Sequence, residues 1–111
     1  MARSANVGRI EIGEDSIVHP AYPHLIIALP VAGGTAHPAG TALQMDGSGA
    51  LAAGDFSKRT YIALEETTAI SEEVLVLAMG AARAEMVLAA GAPLTRAEAI
   101  ALMEKSPLTL I

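Results

Sequence analysis

The sequence predicts a small α+β domain: a β-rich, barrel-like or sandwich-like body with one C-terminal helix and an extended N-terminal arm. Between residues 38 and 88, short apolar runs alternate with glycine-containing turns, a pattern typical of β-strands. The segment from Thr95 to Glu98 has the spacing of a helix capping box. Residues 1–24 carry little apolar surface and two prolines, which favours an extended chain.

Length and composition allow one modest core. The chain has 111 residues, enough for one domain, and 52% of them are apolar although only three are aromatic. A core built from aliphatic side chains and alanine packs thinly, so we expect a marginally stable monomer that gains from burial against other subunits. The absence of cysteine excludes disulfides and thiolate chemistry.

Charge and hydropathy argue against two classes of partner. The net charge is −5 and Lys58-Arg59 is the only adjacent basic pair, whereas nucleic-acid binding needs clustered cations. Residues 21–44 carry no Asp, Glu, Lys or Arg, but six prolines and glycines interrupt them, so they cannot form a membrane helix. The N-terminus lacks the pattern of a signal peptide. We therefore expect neither a nucleic acid nor a membrane as partner.

The arm, residues 1–24, contains one stretch able to form a strand. Residues 9–12 alternate polar with β-branched side chains, and Ile17-Val18 follow after a polar interruption. Pro20 and Pro23 then oppose a helix.

The body, residues 25–111, is expected to begin with a buried strand at residues 25–29 that Pro30 ends. A hairpin follows, with strands at residues 41–45 and 50–52. Its loop, Asp46-Gly-Ser-Gly49, contains the glycines that a tight reversal requires.

Two further strands are predicted at residues 60–64 and 74–79. A polar loop at residues 54–59 precedes the first, and an acidic loop at residues 65–73 separates the two. Gly80 is expected to mark a turn or a bulge at the end of the second strand.

A helix is predicted to begin after Thr95 and to end at Ser106-Pro107, with Lys105 favourably placed near its C-terminus. Residues 108–111 are expected to form a closing strand. The apolar face of this helix is predicted to consist of Ala97, Ile100, Ala101 and Met103.

The residues capable of catalysis or metal binding form no recognisable constellation. The three histidines, His19, His24 and His37, lack the spacing of convergent metal ligands. The adjacent pairs Glu65-Glu66 and Glu72-Glu73 would point to opposite sides of an extended chain. The glycine loop around Ser48 is not followed by a helix that could bind phosphate, and no histidine is placed to activate this serine. We expect no enzyme activity, no cofactor and no metal.

The capped helix with its aliphatic C-terminus follows five segments along residues 25–111, namely Ala39-Gly-Thr-Ala-Leu, Asp46-Gly-Ser-Gly-Ala-Leu, Tyr61-Ile-Ala-Leu, Glu73-Val-Leu-Val-Leu and Ala84-Glu-Met-Val-Leu. The order of these features resembles the lambda-type bacteriophage head decoration (capsid-stabilising) protein family. The chain departs from this family in its short loop at residues 54–60 and in Ala89-Ala90, where an aromatic residue is frequent.

This resemblance implies a homotrimer that binds the major capsid protein on the outside of the expanded phage head, at or near three-fold lattice sites, after assembly in the host cytoplasm. Such a protein stabilises the head against packaged DNA. The arm would order on the capsid, with residues 9–12 as an added strand. Its expected contact residues are Arg9, Ile10, Glu11, Ile12, Ile17, Val18 and Tyr22.

A small β-barrel adaptor or carrier module is the alternative function. A lipoyl-type or biotinyl-type carrier needs a lysine at an exposed hairpin tip. The two lysines of this chain are Lys58, in a loop beside Arg59, and Lys105, at the end of the predicted helix.

Overall fold

The computed structural model describes residues 16–111, which form eight β-strands, a 3-10 turn at Ala84–Met86 and one α-helix, α1 (Arg96–Lys105). This confirms a small β-rich α+β domain with a helix near the C-terminus. The strands are β1 Leu25–Pro30, β2 Ala42–Met45, β3 Leu51–Ala53, β4 Thr60–Ala63, β5 Glu73–Ala82, β6 Leu88–Ala89, β7 Ala92–Pro93 and β8 Leu108–Leu110.

The main sheet has the order β1-β5-β4-β2-β3, with antiparallel neighbours, and β8 joins it by pairing in parallel with the C-terminal part of β5. A single bridge between Val31 and Leu51 links the end of β1 to β3. Within residues 16–111 the sheets are not closed into a barrel. The predicted hairpin is confirmed as β2 and β3, with a loop whose Asp46 carboxylate accepts hydrogen bonds from the Ser48 and Ala50 amides.

Strand β1 lies at an edge of this sheet, paired with β5 along one side. Its four central residues are half-buried and both ends are exposed. The predicted strand is therefore correct, but the prediction that it is buried is wrong, because one of its edges has no strand beside it among residues 16–111.

Strand β5 is longer than predicted, since it continues through Gly80 to Ala82 instead of turning there. A bulge is present, but it lies before Gly80, at Ala78: Leu25 pairs with Met79 and Ile26 with Leu77, so Ala78 is the extra residue. The carbonyl of Ala78 accepts a hydrogen bond of 2.9 Å from the Arg59 guanidinium. This bond satisfies a group that the bulge removes from the ladder.

Only glycine fits position 80 without strain. Its φ of 132° is a conformation that side chains disfavour, and a Cβ placed there would lie 2.9 Å from the His24 Cβ and 3.1 Å from the Pro23 carbonyl oxygen. The chain preceding β1 therefore crosses β5 at a point where the missing side chain leaves room for it.

The two faces of the sheet bury separate groups of aliphatic side chains. The face covered by α1 packs Ile62 and Leu77 against Leu102 of the helix. The opposite face packs Val74 and Val76 of β5 against a second group, which consists of Val31, Leu43, Leu51 and Ala63. Successive side chains of a strand point to opposite faces of the sheet, so the same strands supply both groups.

Helix α1 has the predicted capping box, because the Thr95 hydroxyl accepts from the Glu98 amide (3.2 Å) and the Glu98 carboxylate from the Thr95 amide (2.8 Å). The predicted apolar face is only partly correct. The helix buries Leu102, which was not predicted to belong to that face, and it buries Ala101 in part. The other three predicted members, Ala97, Ile100 and Met103, are exposed. The helix is oriented by Leu102, which enters the core beside Leu108.

We expect Thr95→Ala to lower the free energy of unfolding by about 1 kcal/mol, because the substitution removes the N-cap acceptor. Urea denaturation measures the change, and Thr95→Ser, which keeps the hydroxyl, should stay close to the wild type. Equal stability of all three proteins would contradict the capping role.

We expect Gly80→Ala to lower the free energy of unfolding by about 2 kcal/mol or more, because the positive φ is strained for alanine and the added Cβ meets residues 23–24. Gly47→Ala is the matched control, since nothing lies within 4 Å of its Cβ position. A Gly80 variant as stable as the Gly47 variant would show that the crossing adjusts freely.

Candidate interaction site

The segment from Ser16 to His19 packs along the C-terminal part of β5. Val18 forms an antiparallel bridge with Ala82, and the His19 amide donates to the Ala81 carbonyl at 2.9 Å. On the same stretch, the Arg83 amide donates to the Ile17 carbonyl at 2.8 Å. These bonds attach the segment to the body.

The structure separates the predicted contact residues into three groups. Arg9, Ile10, Glu11 and Ile12 lie outside the described residues. Val18 is 1% exposed and belongs to the core beside α1, against which Ile17 also packs. Tyr22 is 49% exposed, with its ring edge-on to His19 at 5.3 Å between centroids. Tyr22 is therefore the one described member of the set that offers a large apolar surface to a partner.

Tyr22 lies at a shallow apolar groove beside the bulge, which we call the bulge groove. Its cavity volume is about 250 Å³, and Met79, which pairs across the strands with the exposed Leu25, is 47% exposed. None of its lining residues is charged; they are Tyr22, Pro23, Met79, Gly80, Ala81, Pro107 and Thr109.

A second apolar surface, the helix patch, consists of Ala97, Ile100 and Met103 on the outer side of α1. Ile100 is 45% exposed and Met103 37% exposed. The spacing of three residues places these side chains one turn apart on one face. The sequence indicates this face by its periodicity, although it does not show that the face points away from the core.

A third exposed side chain, Ile70, is 88% exposed at the tip of the loop before β5. Within the turn, the Ser71 hydroxyl accepts from the Thr68 amide at 2.9 Å. The Ala69 carbonyl accepts from the Gly34 amide at 2.8 Å, which links the turn to the loop after β1. The tip thus presents one aliphatic side chain on a well-braced turn.

Several acidic and hydroxyl side chains form local hydrogen bonds within the body. The Ser48 hydroxyl donates to Asp46 at 2.7 Å; this bond, together with the Ala50 and Ser48 amides, holds the pKa of the Asp46 carboxyl below its ordinary value. Ser57 lowers the pKa of Asp55 in the same way. The Glu65 carboxylate accepts from the Leu75 amide at 3.0 Å and so completes the backbone pairing of β5.

His37 is nearly buried in the loop after β1. Its amide donates to the Thr67 hydroxyl at 3.0 Å, and its carbonyl accepts from the Thr67 amide at 2.9 Å. Burial lowers the pKa of the imidazole because the protein interior disfavours its charged form. Within residues 16–111, no three His, Cys, Asp or Glu side chains come together as a metal site would require.

No helix in residues 16–111 has the length and hydropathy needed to cross a membrane.

No protein-family model matches this chain, and no curated protein matches it significantly.

We expect acid to destabilise the protein through His37. Because its pKa is lowered in the folded state, the unfolded chain takes up a proton first as the pH falls below about 6.5. The free energy of unfolding should therefore decrease below this pH and level off once the folded form also protonates. Urea denaturation between pH 8 and pH 5 measures this slope.

His37→Gln should flatten the slope in that range, whereas His24→Gln, at an exposed position, controls for the loss of an imidazole elsewhere. An unchanged slope in the His37 variant would assign the acid sensitivity to other groups.

Proposed function

We propose that this chain is a structural protein of a bacteriophage virion, a homotrimeric decoration or cement protein. It binds the major capsid protein on the outer surface of the expanded head, at or near three-fold lattice sites, and stabilises the shell against the pressure of packaged DNA. In addition to the resemblance in sequence, one structural observation supports a function in contact. The part of the chain that the structure describes exposes several apolar features, among them the bulge groove, the helix patch and Ile70.

A contact function fits these surfaces because the bulge groove and the helix patch each bring several exposed apolar side chains together, as assembly sites do. The net charge of −5 also fits a protein that adheres to a protein shell while avoiding the DNA inside it. In this proposal the body is a sandwich-like trimer unit, and the N-terminal arm extends from it to the capsid.

The arm was predicted to comprise residues 1–24, but the Ser16–His19 segment packs against β5. The proposed arm is therefore residues 1–15, and Arg9 to Ile12 would be the strand that adds to a capsid sheet. Ordering such a segment costs on the order of 1 kcal/mol per residue, so one arm would bind weakly. Three arms on one trimer make the later contacts intramolecular and raise apparent affinity by roughly 10²–10⁴.

The alternative, a small adaptor or carrier module, is favoured by one observation, the uncharged bulge groove, which could accept an extended peptide. The carrier form of this alternative has less support. The tip of the β2–β3 hairpin is Asp46 to Gly49, and Lys58 and Lys105 lie elsewhere, in a loop and at the end of α1.

Co-sedimentation with expanded, undecorated phage heads tests the decoration function. The wild type should pellet with the heads to saturation, and deletion of residues 2–15 should reduce occupancy at least tenfold, because the proposed strand addition is lost. Deleting residues 2–8 is the matched control, since it shortens the chain but keeps Arg9 to Ile12.

Failure of the wild type to pellet on any head, including heads of the phage from which the gene comes, would reject the decoration function. Equal occupancy of the wild type and both deletions would instead keep the function and assign binding to the body.

A further inference from the structure

We propose that a cleft beside His37, the His37 cleft, binds an uncharged ligand that carries a phenol group, either the side chain of a tyrosine in a partner protein or a free phenolic compound. The cleft shares no lining residue with the bulge groove or the helix patch. The site is therefore independent of the surfaces that support the proposed function.

Three separate segments of the chain form the His37 cleft. They are the loop after β1 at residues 35–38, the end of β3 at Ala53, and the turn between β6 and β7 at Ala90-Gly91. The cavity volume is about 360 Å³, which is within the range of small-molecule sites in proteins. A cavity of about 150 Å³ already accepts benzene, so this one has room for a ring with short substituents.

The floor of the cleft is polar and buried. His37 is 6% exposed and Thr41 is 1% exposed, whereas Ala36, Pro38 and Ala53, which also line the cleft, are exposed. None of the residues that line the cleft is charged. A charged ligand would find no counter-ion there, so the arrangement favours an uncharged ligand with an apolar body and one polar tip.

The imidazole of His37 lacks a hydrogen-bond partner. The two bonds of this residue to Thr67 use its backbone amide and carbonyl. Within residues 16–111 the ring nitrogens form no hydrogen bond, although a polar group in a nearly buried side chain usually has one. Burial lowers the pKa of the imidazole, so at neutral pH one ring nitrogen donates and the other accepts. A hydroxyl group can pair with either nitrogen.

Thr41 gives the floor a second acceptor. Its hydroxyl donates to the Pro38 carbonyl at 2.7 Å, so the proton is engaged while the oxygen can still accept. The floor thus offers both a donor and acceptors to a group that enters the cleft. A hydroxyl group, which donates and accepts, uses this set more fully than an ether or a carbonyl, which only accepts.

An aromatic ring is the apolar body that suits these walls. The residues around the cavity are mostly small, as are Ala36, Ala53, Ala90 and Gly91, or cyclic, as is Pro38. Such walls leave space for a large group, and a ring fills that space with little loss of conformational entropy. A ring with a hydroxyl at its tip is a phenol.

The wall at the β6–β7 turn contains strained backbone. Ala90 has a φ of 50° and Gly91 a φ of 85°, so both central residues of this two-residue turn have positive φ. Glycine or asparagine adopts such a conformation more easily than alanine does. Strained backbone of this kind is concentrated at ligand sites, which agrees with a binding function for the cleft.

NMR titration of the isotope-labelled, full-length protein with p-cresol tests the site. The amide signals of residues 35–37, 53 and 90–91 should shift at millimolar ligand concentration. Toluene, which is p-cresol without the hydroxyl, should bind roughly fivefold more weakly, because it leaves the polar floor unpaired.

Two substitutions test the cleft and its imidazole separately. Ala53→Leu should abolish the shifts, because the larger side chain fills the cleft; Ala97→Leu is the matched control at an exposed alanine of α1 and should bind p-cresol as the wild type does. His37→Phe keeps a ring but removes both nitrogens, so p-cresol should lose most of its advantage over toluene. Circular dichroism checks that each variant is folded, and the Ala53 variant tests the site even if the His37 variant does not fold.

Titration with N-acetyl-tyrosinamide distinguishes the two sources of the phenol. Binding of this compound as well as p-cresol supports a tyrosine side chain of a partner protein, whereas binding of p-cresol alone supports a free phenolic compound. The proposal would be overturned by the absence of shifts with p-cresol, by equal binding of toluene, or by unchanged binding in the Ala53 variant.

Discussion

The continuity of β5 through Gly80 is the constraint on which the rest of the fold depends. The N-terminal part of this strand pairs with β1 and β4, and its C-terminal part pairs with β8 and with Val18. The change of partners coincides with the bulge at Ala78 and the positive φ of Gly80. A side chain at position 80 would collide with residues 23–24, so the same glycine allows the preceding chain to cross the strand and forms the floor of the bulge groove.

Arg59 stabilises the bulge in β5 although it lies 19 positions away from Ala78 in the sequence. Its guanidinium donates to the Ala78 carbonyl and lies 4.9 Å from the centre of the Tyr61 ring, so one side chain satisfies the bulged backbone and packs on the neighbouring strand. The loop that carries Arg59 also contains Phe56, which is buried although its backbone has a positive φ of 66°. In a chain with three aromatic residues, placing one of them in the core evidently outweighs the local strain.

The sequence was sufficient to predict the elements that are determined by residues close together in the chain. The Asp46 hairpin, the Thr95 capping box and the strands β1 and β4 follow from turn residues, cap spacing and apolar runs, which act within a few residues. The attachment of Val18 to Ala82 depends on a pairing that spans 64 positions, and no local pattern indicates it. The orientation of α1 was missed for a related reason. Periodicity identifies an apolar face, but the core beneath Leu102 decides which face is buried.

The arrangement of the strand edges favours association through side chains over association through the backbone. The outer edge of β1 is the longest edge in the described sheet. It is bounded by a register shift at Leu25 on one side and by Pro30, which has no amide hydrogen, on the other. Edge-to-edge pairing with a second copy is therefore limited to a few central residues. The grouped exposed side chains face no such restriction, and they lie on both sides of β8, the strand nearest the C-terminus.

Because the chain has few aromatic residues, little apolar area is buried per side chain inside one subunit. The aliphatic side chains left outside are consequently the remaining source of hydrophobic stabilisation, and they become effective only when another molecule covers them.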